Sequence, residues 1–145
     1  MVKLLLAGTG LIGHRHMQHI LEHPDLELVG VIDPLITDEK IEGVKTYHSL
    51  NDVNNVAEGI ILATPTDTHA DLTIQSLEMG MHVLVEKPVA ASLLEADKMI
   101  SASEKTGLSI LVGHHRRHHP LVNETIKILN SDKIGRPVAA SLMWL

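Results

Sequence analysis

The sequence has no cysteine and no phenylalanine, and one tryptophan and one tyrosine occur among its 145 residues. Without cysteine the chain can form no disulfide bond and can use no thiolate chemistry. With almost no aromatic side chains, the core has to be built from leucine, isoleucine, valine, alanine and methionine. The length is that of one ordinary domain, which can bury such a core without covalent cross-links.

Positive charge is also scarce, because 12 basic side chains stand against 18 acidic ones and the net charge is −6. No basic cluster exceeds the pair Arg116-Arg117, which argues against nucleic acid or an anionic membrane as a partner. No apolar run approaches the roughly 20 residues that a membrane span needs. The apolar opening, MVKLLLAG, is too short for a signal peptide and leads directly into a glycine-rich turn. We therefore expect a cytoplasmic protein.

Short apolar runs alternate with longer segments of helical period along the chain. The predicted strands span residues 2–7, 26–32, 59–64, 82–87 and 108–113; the predicted helices span 11–22, 66–79 and 92–106, with weaker helical patterns at 49–56 and 119–130. Strands that alternate with helices predict an α/β fold, in which helices cover both faces of a parallel sheet.

The first predicted strand leads into GTGLIG, in which the glycines have the G-x-G-x-x-G spacing. Between a strand and a helix, such glycines permit a tight turn, a close approach of the backbone to a pyrophosphate, and close packing of the helix on the sheet. The spacing predicts a Rossmann-type doubly wound sheet that binds a dinucleotide. The predicted cofactor-binding residues of this turn are Gly8, Thr9, Gly10, Leu11, Ile12 and Gly13. The alternative is that the glycines serve the turn alone.

Asp33 ends the second predicted strand, 20 residues after Gly13. A carboxylate at this place in a Rossmann sheet accepts a hydrogen bond from the adenosine ribose. Pro34 comes next, and no arginine lies close behind to hold a 2′-phosphate. NAD is therefore the predicted cofactor, and NADP is the less favoured alternative.

The stretch HVLVEKPVA, residues 82–90, is an apolar run that ends in Glu86 and Lys87 before Pro88. Because proline cannot donate to a strand ladder, Pro88 is expected to end the strand with Lys87 at its carboxyl tip. Ligands of open α/β sheets bind at that edge, where an ammonium group can stabilise an alkoxide during hydride transfer. The alternative is a surface lysine that only ends a strand. Glu86, on the opposite face of the strand from Lys87, is assigned either a role on the cofactor side or a supporting role.

A third loop, ATPTDTHADL, begins at the tip of another predicted strand. Thr64 and Pro65 are expected to form a loop beneath the cofactor, and Thr66 is also predicted to bind the cofactor. Either Thr66 or Thr68 could cap the next helix. His69 then falls in the first helical turn, where it faces either the cofactor cleft or a capping partner. The structural role is slightly favoured for His69.

Four segments, GTGLIG, ATPTDTHADL, SLEMGMHVLVEKPVA and ILVGHHRRHHP, in this order and spacing, resemble the N-terminal half of the glucose-fructose oxidoreductase/inositol dehydrogenase (Gfo/Idh/MocA) family. The resemblance covers nearly the whole chain and implies an NAD(P)-dependent dehydrogenase of a sugar, inositol or related polyol. In that family the lysine of E-K-P lies between nicotinamide and substrate, which implies that Lys87 is catalytic. Arg116 and Arg117 match arginines that lie near the nicotinamide, and His115 and Arg116 are therefore expected at the cofactor. Histidines stand where the family usually has aromatic residues.

Two histidine-rich segments raise a metal site as an alternative. Histidines four residues apart recur in GHHRRHHP, as the pairs His114 with His118 and His115 with His119. No carboxylate accompanies them and two arginines separate them, so no physiological metal is predicted. The first predicted helix places three more histidines near one face, namely His16, His19 and His23. The predicted role of that face is solvation.

The resemblance also extends to the residues beyond the sheet. The family's remaining catalytic groups belong to a second α+β domain, and GRPVAASLMWL resembles its first strand. We expect residues 1–119 to form the dinucleotide-binding domain, and residues 120–145 to form a connecting helix and the first strand of a truncated second domain. Two functional classes remain: an NAD-dependent sugar or polyol dehydrogenase, expected to be a homo-oligomer at full length, and a non-catalytic NAD-binding module. Lys87 favours the first class.

Overall fold

A computed structural model of the chain describes residues 1–54 and 57–141. The chain divides into two compact units, Met1–Gly113 and His114–Leu145. None of the helices in the described part is long and apolar enough to cross a membrane.

Seven strands of the described residues form one sheet in the first unit. They are β1 (Val2–Ala7), β2 (Leu26–Ile32), β3 (Lys40–Ile41), β4 (Val44–Tyr47), β5 (Gly59–Leu62), β6 (His82–Val85) and β7 (Ile110–Val112). Their order in the sheet is β3-β4-β2-β1-β5-β6-β7. The pair β3-β4 is antiparallel, and the other neighbours are parallel.

Helices cover both faces of this sheet. They are α1 (Leu11–Glu22), α2 (His69–Glu78) and α3 (Leu93–Thr106). Met17 of α1 shares a buried cluster with Leu6 of β1. Leu77 of α2 and Met99 of α3 share another buried cluster with Leu5, whose side chain points to the opposite face from Leu6. The predicted α/β class and doubly wound parallel sheet are therefore confirmed.

The predicted bounds of β1, β2 and α1 agree with the structure, whereas β5 and β6 each end two residues earlier than predicted. The last ladder bonds come from the N–H of Ala63 to the Ala7 carbonyl and from the N–H of Glu86 to the Leu62 carbonyl. The chain then leaves the ladder, so Lys87 lies in a loop. The segment predicted as one helix over 66–79 begins as a 3-10 turn, Thr66–Thr68. The weak helix at 49–56 is a 3-10 turn at Leu50–Asp52, and residues 55–56 lie outside the described part.

The hairpin of β3 and β4 is missing from the sequence-based prediction. Its two loop residues have positive φ angles, 51° at Glu42 and 80° at Gly43. Two-residue hairpin loops of this kind usually carry Asn-Gly or Asp-Gly, and Glu-Gly conceals the signal. In addition, a two-residue strand is too short to show an alternating pattern.

The carboxyl ends of the parallel strands are aligned across the sheet. Ala7 of β1 pairs with Ile32 of β2 and with Leu62 of β5, and Leu62 pairs with Val85 of β6. The residues immediately after these ends form a row that we call the carboxyl edge, which consists of Asp33, Gly8, Ala63 and Glu86 in sheet order. Because neighbouring strands lie about 4.8 Å apart, the backbones at Asp33 and Glu86 are separated by roughly 14 Å.

The second unit contains a 3-10 turn at His115–His118, helix α4 (Pro120–Leu129) and a 3-10 turn at Asp132–Ile134. His119 caps α4, because its Nδ1 accepts a hydrogen bond from the N–H of Leu121 at 3.2 Å. Residues 138–141, the first part of the predicted final strand, have no regular secondary structure, and residues 142–145 lie outside the described part. A strand there has no partner among the described residues. The assignment of 120–145 to a second domain stays a prediction.

Candidate functional site

The turn after β1 needs glycine at two of its three glycine positions. Gly8 has a φ of 93°, which side chains rarely adopt, and its N–H donates to the Ile32 carbonyl at 2.8 Å. A Cβ on Gly13 would overlap the carbonyl oxygen of Gly8. A Cβ on Gly10 would meet no described atom within 4 Å beyond its chain neighbours. Gly8 and Gly13 therefore build the turn, and Gly10 leaves space outside it.

Helix α1 begins at this turn without a side-chain cap. Gly10 is the N-cap residue, and no described side chain accepts a hydrogen bond from the first N–H groups of the helix. Leu11 and Ile12 of the first turn are exposed. Unpaired N–H groups at a helix N-terminus attract anions, so the space beside Gly10 suits phosphate groups.

The Asp33 carboxylate is held by three hydrogen bonds. Oδ2 accepts from the Thr9 N–H at 2.9 Å and from the Thr9 hydroxyl at 2.6 Å, and Oδ1 accepts from the Leu35 N–H at 3.0 Å. Partial burial alone raises the pKa of the Asp33 carboxyl, but these hydrogen bonds, led by the Thr9 hydroxyl, outweigh burial and hold the pKa below its ordinary value. Because a carboxylate oxygen has two lone-pair sites, Oδ1 can accept one further hydrogen bond. Thr9 is thus hydrogen-bonded to Asp33, a contact that the sequence did not reveal, and its assignment to the cofactor stays a prediction.

A cavity of about 450 Å³ opens beside Asp33, in that its wall includes Ile32 and Pro34, the residues on either side of Asp33, but not Asp33 itself. Its wall includes residues that come after the carboxyl ends of β2, β4 and β5, among them Pro34, His48, Ser49, Thr64, Pro65 and Thr68. Thr64 and Pro65 were predicted at the cofactor and line this cavity, whereas Thr66 does not. The prediction missed His48 and Ser49 because it lacked β4, the strand that places them at this edge.

The capping role predicted for Thr68 is wrong. Thr68 is the N-cap residue of α2, but its side chain forms no hydrogen bond with the first turn of the helix. The Thr68 hydroxyl lies 2.8 Å from the Pro65 carbonyl, to which it donates, and 2.7 Å from the Thr64 hydroxyl. The hydroxyl therefore stabilises the loop after β5, because the intervening 3-10 turn directs it backwards.

His69 is buried, with a side chain that is 1% exposed. Its Nδ1 lies 2.8 Å from the carbonyl oxygen of Pro88, and its Nε2 lies 3.0 Å from the carbonyl oxygen of Thr64. Both ring nitrogens are therefore in contact with main-chain atoms. This geometry favours the structural alternative for His69 over direct contact with a cofactor.

Glu86 links the loop after β6 to helix α1. Its carboxylate lies 3.0 Å from Nε2 of His16, and accepts from the Lys87 N–H at 3.2 Å. Partial burial alone raises the pKa of the Glu86 carboxyl, but the His16 hydrogen bond, the Lys87 N–H and the charges of both residues outweigh it and lower the pKa. A Cβ on Gly113 would come within 3.0 Å of this carboxylate. The expectation that His16 belongs to a solvated histidine face is wrong, because the ring is turned to Glu86, whereas His19 and His23 are exposed.

Lys87 lies two residues beyond the end of β6, and its side chain is exposed. The Lys87-Pro88 peptide bond is cis. No described residue forms an ion pair or hydrogen bond with the Lys87 ammonium group, and Glu86 contacts Lys87 through the backbone N–H. The lysine is thus placed at the carboxyl edge and is available to a ligand.

His115 and Arg116 belong to the second unit, so their assignment to the cofactor stays a prediction. Both are exposed, in the 3-10 turn His115–His118. Across residues 1–54 and 57–141, no three histidine, aspartate or glutamate side chains are grouped closely enough to share a metal ion.

Comparisons with known proteins agree with this geometry. Residues 2–114 match the family model described as oxidoreductase family, NAD-binding Rossmann fold. A 4-carboxy-2-hydroxymuconate-6-semialdehyde dehydrogenase of Sphingobium sp. is 32% identical, over 82% of this chain and 40% of that protein. The scyllo-inositol 2-dehydrogenase (NAD(+)) of Bacillus subtilis is 30% identical, over 94% of this chain and 42% of that protein.

A solved structure, the WlbA dehydrogenase of Bordetella pertussis in complex with NADH and UDP-GlcNAcA, superimposes with a TM-score of 0.79 at 29% identity. The superposition covers 88% of this chain and 40% of that one. The chain therefore spans about two fifths of the length of these relatives. Because the family model covers most of the sequence, the chain belongs to the Gfo/Idh/MocA oxidoreductase family through its NAD-binding Rossmann domain.

Proposed function

We propose that the chain is the cofactor-binding part of an NAD-dependent oxidoreductase that acts on a CH–OH group of a sugar, inositol or related polyol. The alignment of the carboxyl edge carries the proposal. It brings the glycine turn, Asp33 and the loop of Glu86 and Lys87 to one edge of the sheet. Ligands of doubly wound sheets bind at this edge.

The chain's own residues fit a dinucleotide. The first N–H groups of α1 and the open space beside Gly10 suit the pyrophosphate. The cavity beside Asp33 has an apolar wall that includes Pro34 and Pro65, which suits the adenosine. The spare acceptor site on the Asp33 carboxylate suits a ribose hydroxyl donor. Because the lowered pKa keeps Asp33 ionised at neutral pH, a 2′-phosphate would meet a negative charge, and NAD is favoured over NADP.

Lys87 is the proposed catalytic residue. When bound, NAD supplies the hydride acceptor. Removal of a hydride from a carbinol carbon requires the hydroxyl proton to leave, and an ammonium group beside the oxygen stabilises the alkoxide or relays its proton. The carboxylate of Glu86, fixed by His16 and by the Lys87 N–H, holds the backbone at Lys87 in place. The relatives named for an inositol and for a nucleotide sugar support the proposed class of substrate.

Calorimetry and an activity assay of the 145-residue chain test the proposal. We expect binding of NADH, because the turn, Asp33 and the cavity are complete in these residues. We expect no NADH production from NAD with inositols or aldoses, because the Glu86 carboxylate beside Lys87 is already engaged by His16 and the Lys87 N–H, and the described residues offer no cover against water. Absence of NADH binding would refute the cofactor assignment, and turnover would show that the catalytic set lies within these residues.

A non-catalytic NAD-binding module is the second candidate, and the exposure of Lys87 favours it. The two candidates differ in what Lys87 does. In a protein that joins these residues to a substrate-binding part, loss of turnover on Lys87→Ala supports the enzyme. Absence of turnover from the unmodified joined protein supports the module.

A further inference from the structure

Helix α1 contacts the loop that carries Lys87 through the side chain of His16. His16 stands one turn after Gly13, and residues three apart share a face of a helix. Because Gly13 packs closely against Gly8 and the sheet, His16 lies on the side of α1 that faces the sheet. Its Nε2 lies 3.0 Å from Oε1 of Glu86, and the two side chains are 23% and 15% exposed. The contact is therefore better shielded from water than an ion pair on the surface.

The Glu86 carboxylate joins two partners that are distant in the sequence. Oε1 faces His16, and Oε2 accepts a hydrogen bond from the Lys87 N–H at 3.2 Å. The backbone of Glu86 is attached to the sheet as well, because its N–H donates to the Leu62 carbonyl at 2.9 Å. Contacts with the sheet and with α1 therefore both fix the backbone at Lys87.

The direction of the hydrogen bond between His16 and Glu86 follows from the chemistry of the carboxylate. Partial burial raises the pKa of the Glu86 carboxyl, but its hydrogen bonds with His16 and Lys87 outweigh burial and lower the pKa. The group is thus ionised at neutral pH and can only accept, so the hydrogen atom of the contact belongs to Nε2 of His16. A neutral ring and a protonated ring both have an N–H group for this place. The contact therefore does not depend on the charge of His16.

Gly113 leaves the space that the Glu86 carboxylate occupies. Its N–H donates to the Val85 carbonyl at 2.8 Å, which places Gly113 beside the end of β6. A Cβ on Gly113 would lie 3.0 Å from Cδ and from Oε1 of Glu86 and 3.1 Å from Oε2. Gly113 is not among the glycines with a positive φ. What glycine supplies at this position is therefore room for the carboxylate and not an unusual backbone conformation.

We propose that His16 is a positioning residue, which holds Lys87 in place relative to the N-terminus of α1 through the Glu86 carboxylate. The inference rests on the proposed function, which assigns the pyrophosphate to the first turn of α1 and the substrate proton to Lys87. Under that function, the contact between His16 and Glu86 sets the place of the lysine relative to the bound cofactor. His16 acts through Glu86 and is assigned no contact with cofactor or substrate.

Hydrogen exchange of the Lys87 amide in the 145-residue chain tests the inference. The amide nitrogen of glutamine can take the place of Nε2, whereas that of asparagine takes the place of Nδ1, so His16→Gln keeps a donor to Glu86 and His16→Asn removes it. We expect the Lys87 amide to exchange roughly tenfold faster in His16→Asn and near the parent rate in His16→Gln. His19→Asn, at an exposed histidine of the same helix, is the control and should leave the rate unchanged. Equal rates in the parent and in His16→Asn would overturn the inference.

Nitrogen-15 NMR of the His16 ring provides a measurement on the unmodified chain, which stands even where a variant fails to fold. We expect a proton on Nε2 throughout the pH range in which Glu86 is ionised. A ring that carries its proton on Nδ1 alone at neutral pH would overturn the inference, because it could not donate to the carboxylate.

Gly113→Ala tests the same contact from the other side. The added Cβ crowds the carboxylate without changing either His16 or Lys87. We expect faster exchange of the Lys87 amide, in the same direction as for His16→Asn but smaller, because the end of the Glu86 side chain can shift by a few tenths of an ångström. Unchanged exchange in Gly113→Ala together with unchanged exchange in His16→Asn would show that the carboxylate does not hold Lys87.

Kinetics of a protein that joins these residues to a substrate-binding part separate a positioning role from a structural one. We expect His16→Asn to lower kcat on the order of tenfold, as for a slightly misplaced reacting group, with KM for NAD within a few-fold of the parent. His16→Gln should restore most of kcat. A loss in NAD binding as large as the loss in kcat, not restored by glutamine, would make His16 a structural residue.

The inference and the proposed function fail in different ways. If the 145-residue chain binds no NADH, the proposed function fails, whereas faster Lys87 exchange in His16→Asn still supports the hold of His16 on the Lys87 backbone. If the chain binds NADH and the Lys87 amide is indifferent to His16→Asn, the proposed function stands and the positioning role of His16 fails.

Discussion

Two charged residues near opposite ends of the carboxyl edge, Asp33 and Lys87, have side chains that are held to very different degrees. At one end, three hydrogen bonds hold the Asp33 carboxylate. At the other end, the Lys87 side chain is exposed, and only its backbone N–H is held, by Glu86. A group that is fixed before its ligand arrives costs less free energy to engage. Under the proposed function, the difference means that Asp33 at the cofactor is fixed in advance, whereas the ammonium group of Lys87 is not.

The largest expected effect comes from Gly13→Ala, which would break the turn that both ends share. The added Cβ would overlap the Gly8 carbonyl oxygen, so the start of α1 has to move away from the sheet. We expect a loss of stability above about 3 kcal/mol, as for severe overpacking, and no detectable NADH binding. Urea unfolding and calorimetry measure both quantities.

Gly10→Ala is the matched control for that change. Its Cβ would meet no described atom, so the stability should change by less than about 1 kcal/mol. NADH affinity should nevertheless fall, since the methyl group enters the space proposed for the pyrophosphate. If Gly10→Ala destabilised the fold as much as Gly13→Ala does, the space beside Gly10 would be occupied in solution.

Lys87→Ala removes the proposed catalytic ammonium group and leaves the glycine turn and Asp33 unchanged. In a protein that joins these residues to a substrate-binding part, we expect kcat to fall on the order of 10²-fold, as for loss of a general acid or base. NADH affinity of the 145-residue chain should stay within a few-fold. Steady-state kinetics and calorimetry provide the two measurements. A loss of NADH affinity as large as the loss in kcat would make Lys87 a cofactor ligand instead.

Asp33→Ala removes the carboxylate that three hydrogen bonds hold in place. The variant should bind NADPH with an affinity closer to its affinity for NADH, because the repulsion between the carboxylate and a 2′-phosphate is removed. We expect the ratio of the two affinities to fall roughly tenfold, as for removal of a like-charge contact. Fluorescence titration with both cofactors measures the ratio, and Asp97→Ala, an exposed position on α3, is the control. An unchanged ratio would mean that Asp33 does not select the cofactor.

The smallest expected effect concerns pH and the Glu86 carboxylate. Its folded-state pKa is lowered, so the unfolded chain binds the proton more readily, and the stability from Glu86 is present above the ordinary glutamate range of about 4.3. That stability is lost as the pH falls through the lowered pKa. Glu86→Gln should therefore lower the urea midpoint at neutral pH, and the difference from the parent should shrink in acid. Glu104→Gln, an exposed change on α3, should show no such convergence.

Much of the sheet, the glycine turn and the position of Asp33 were predictable, because the sequence patterns that indicate them are local. The apolar run of β1, the glycine spacing and the position of Asp33 all lie in the first 33 residues of the chain and obey general rules of the fold. The loop positions of Thr64 and Lys87 could be predicted from the ends of apolar runs, although the strands stop earlier than the runs suggest.

The contacts that join the loops were not predictable, because they depend on how distant segments pack. His16 and Glu86 are 70 residues apart, and only the rotation of α1 on the sheet brings the ring to the carboxylate. The partners of His69 are backbone carbonyls, which leave no trace in side-chain chemistry. A sequence pattern can therefore identify which side chains lie at the carboxyl edge, but it does not identify what holds them.

The alignment of the strands also leaves the opposite edge of the sheet without any predicted site residue. Gly107 lies at that edge, between α3 and β7, with a φ of 71° and no described atom within 4 Å of an added Cβ beyond its chain neighbours. The length of the three-residue strand β7 separates Gly107 from the carboxyl edge by about 10 Å. A peptide inserted next to Gly107, with the glycine itself kept because its positive φ disfavours a side chain, would therefore extend from the molecule on the side away from the carboxyl edge.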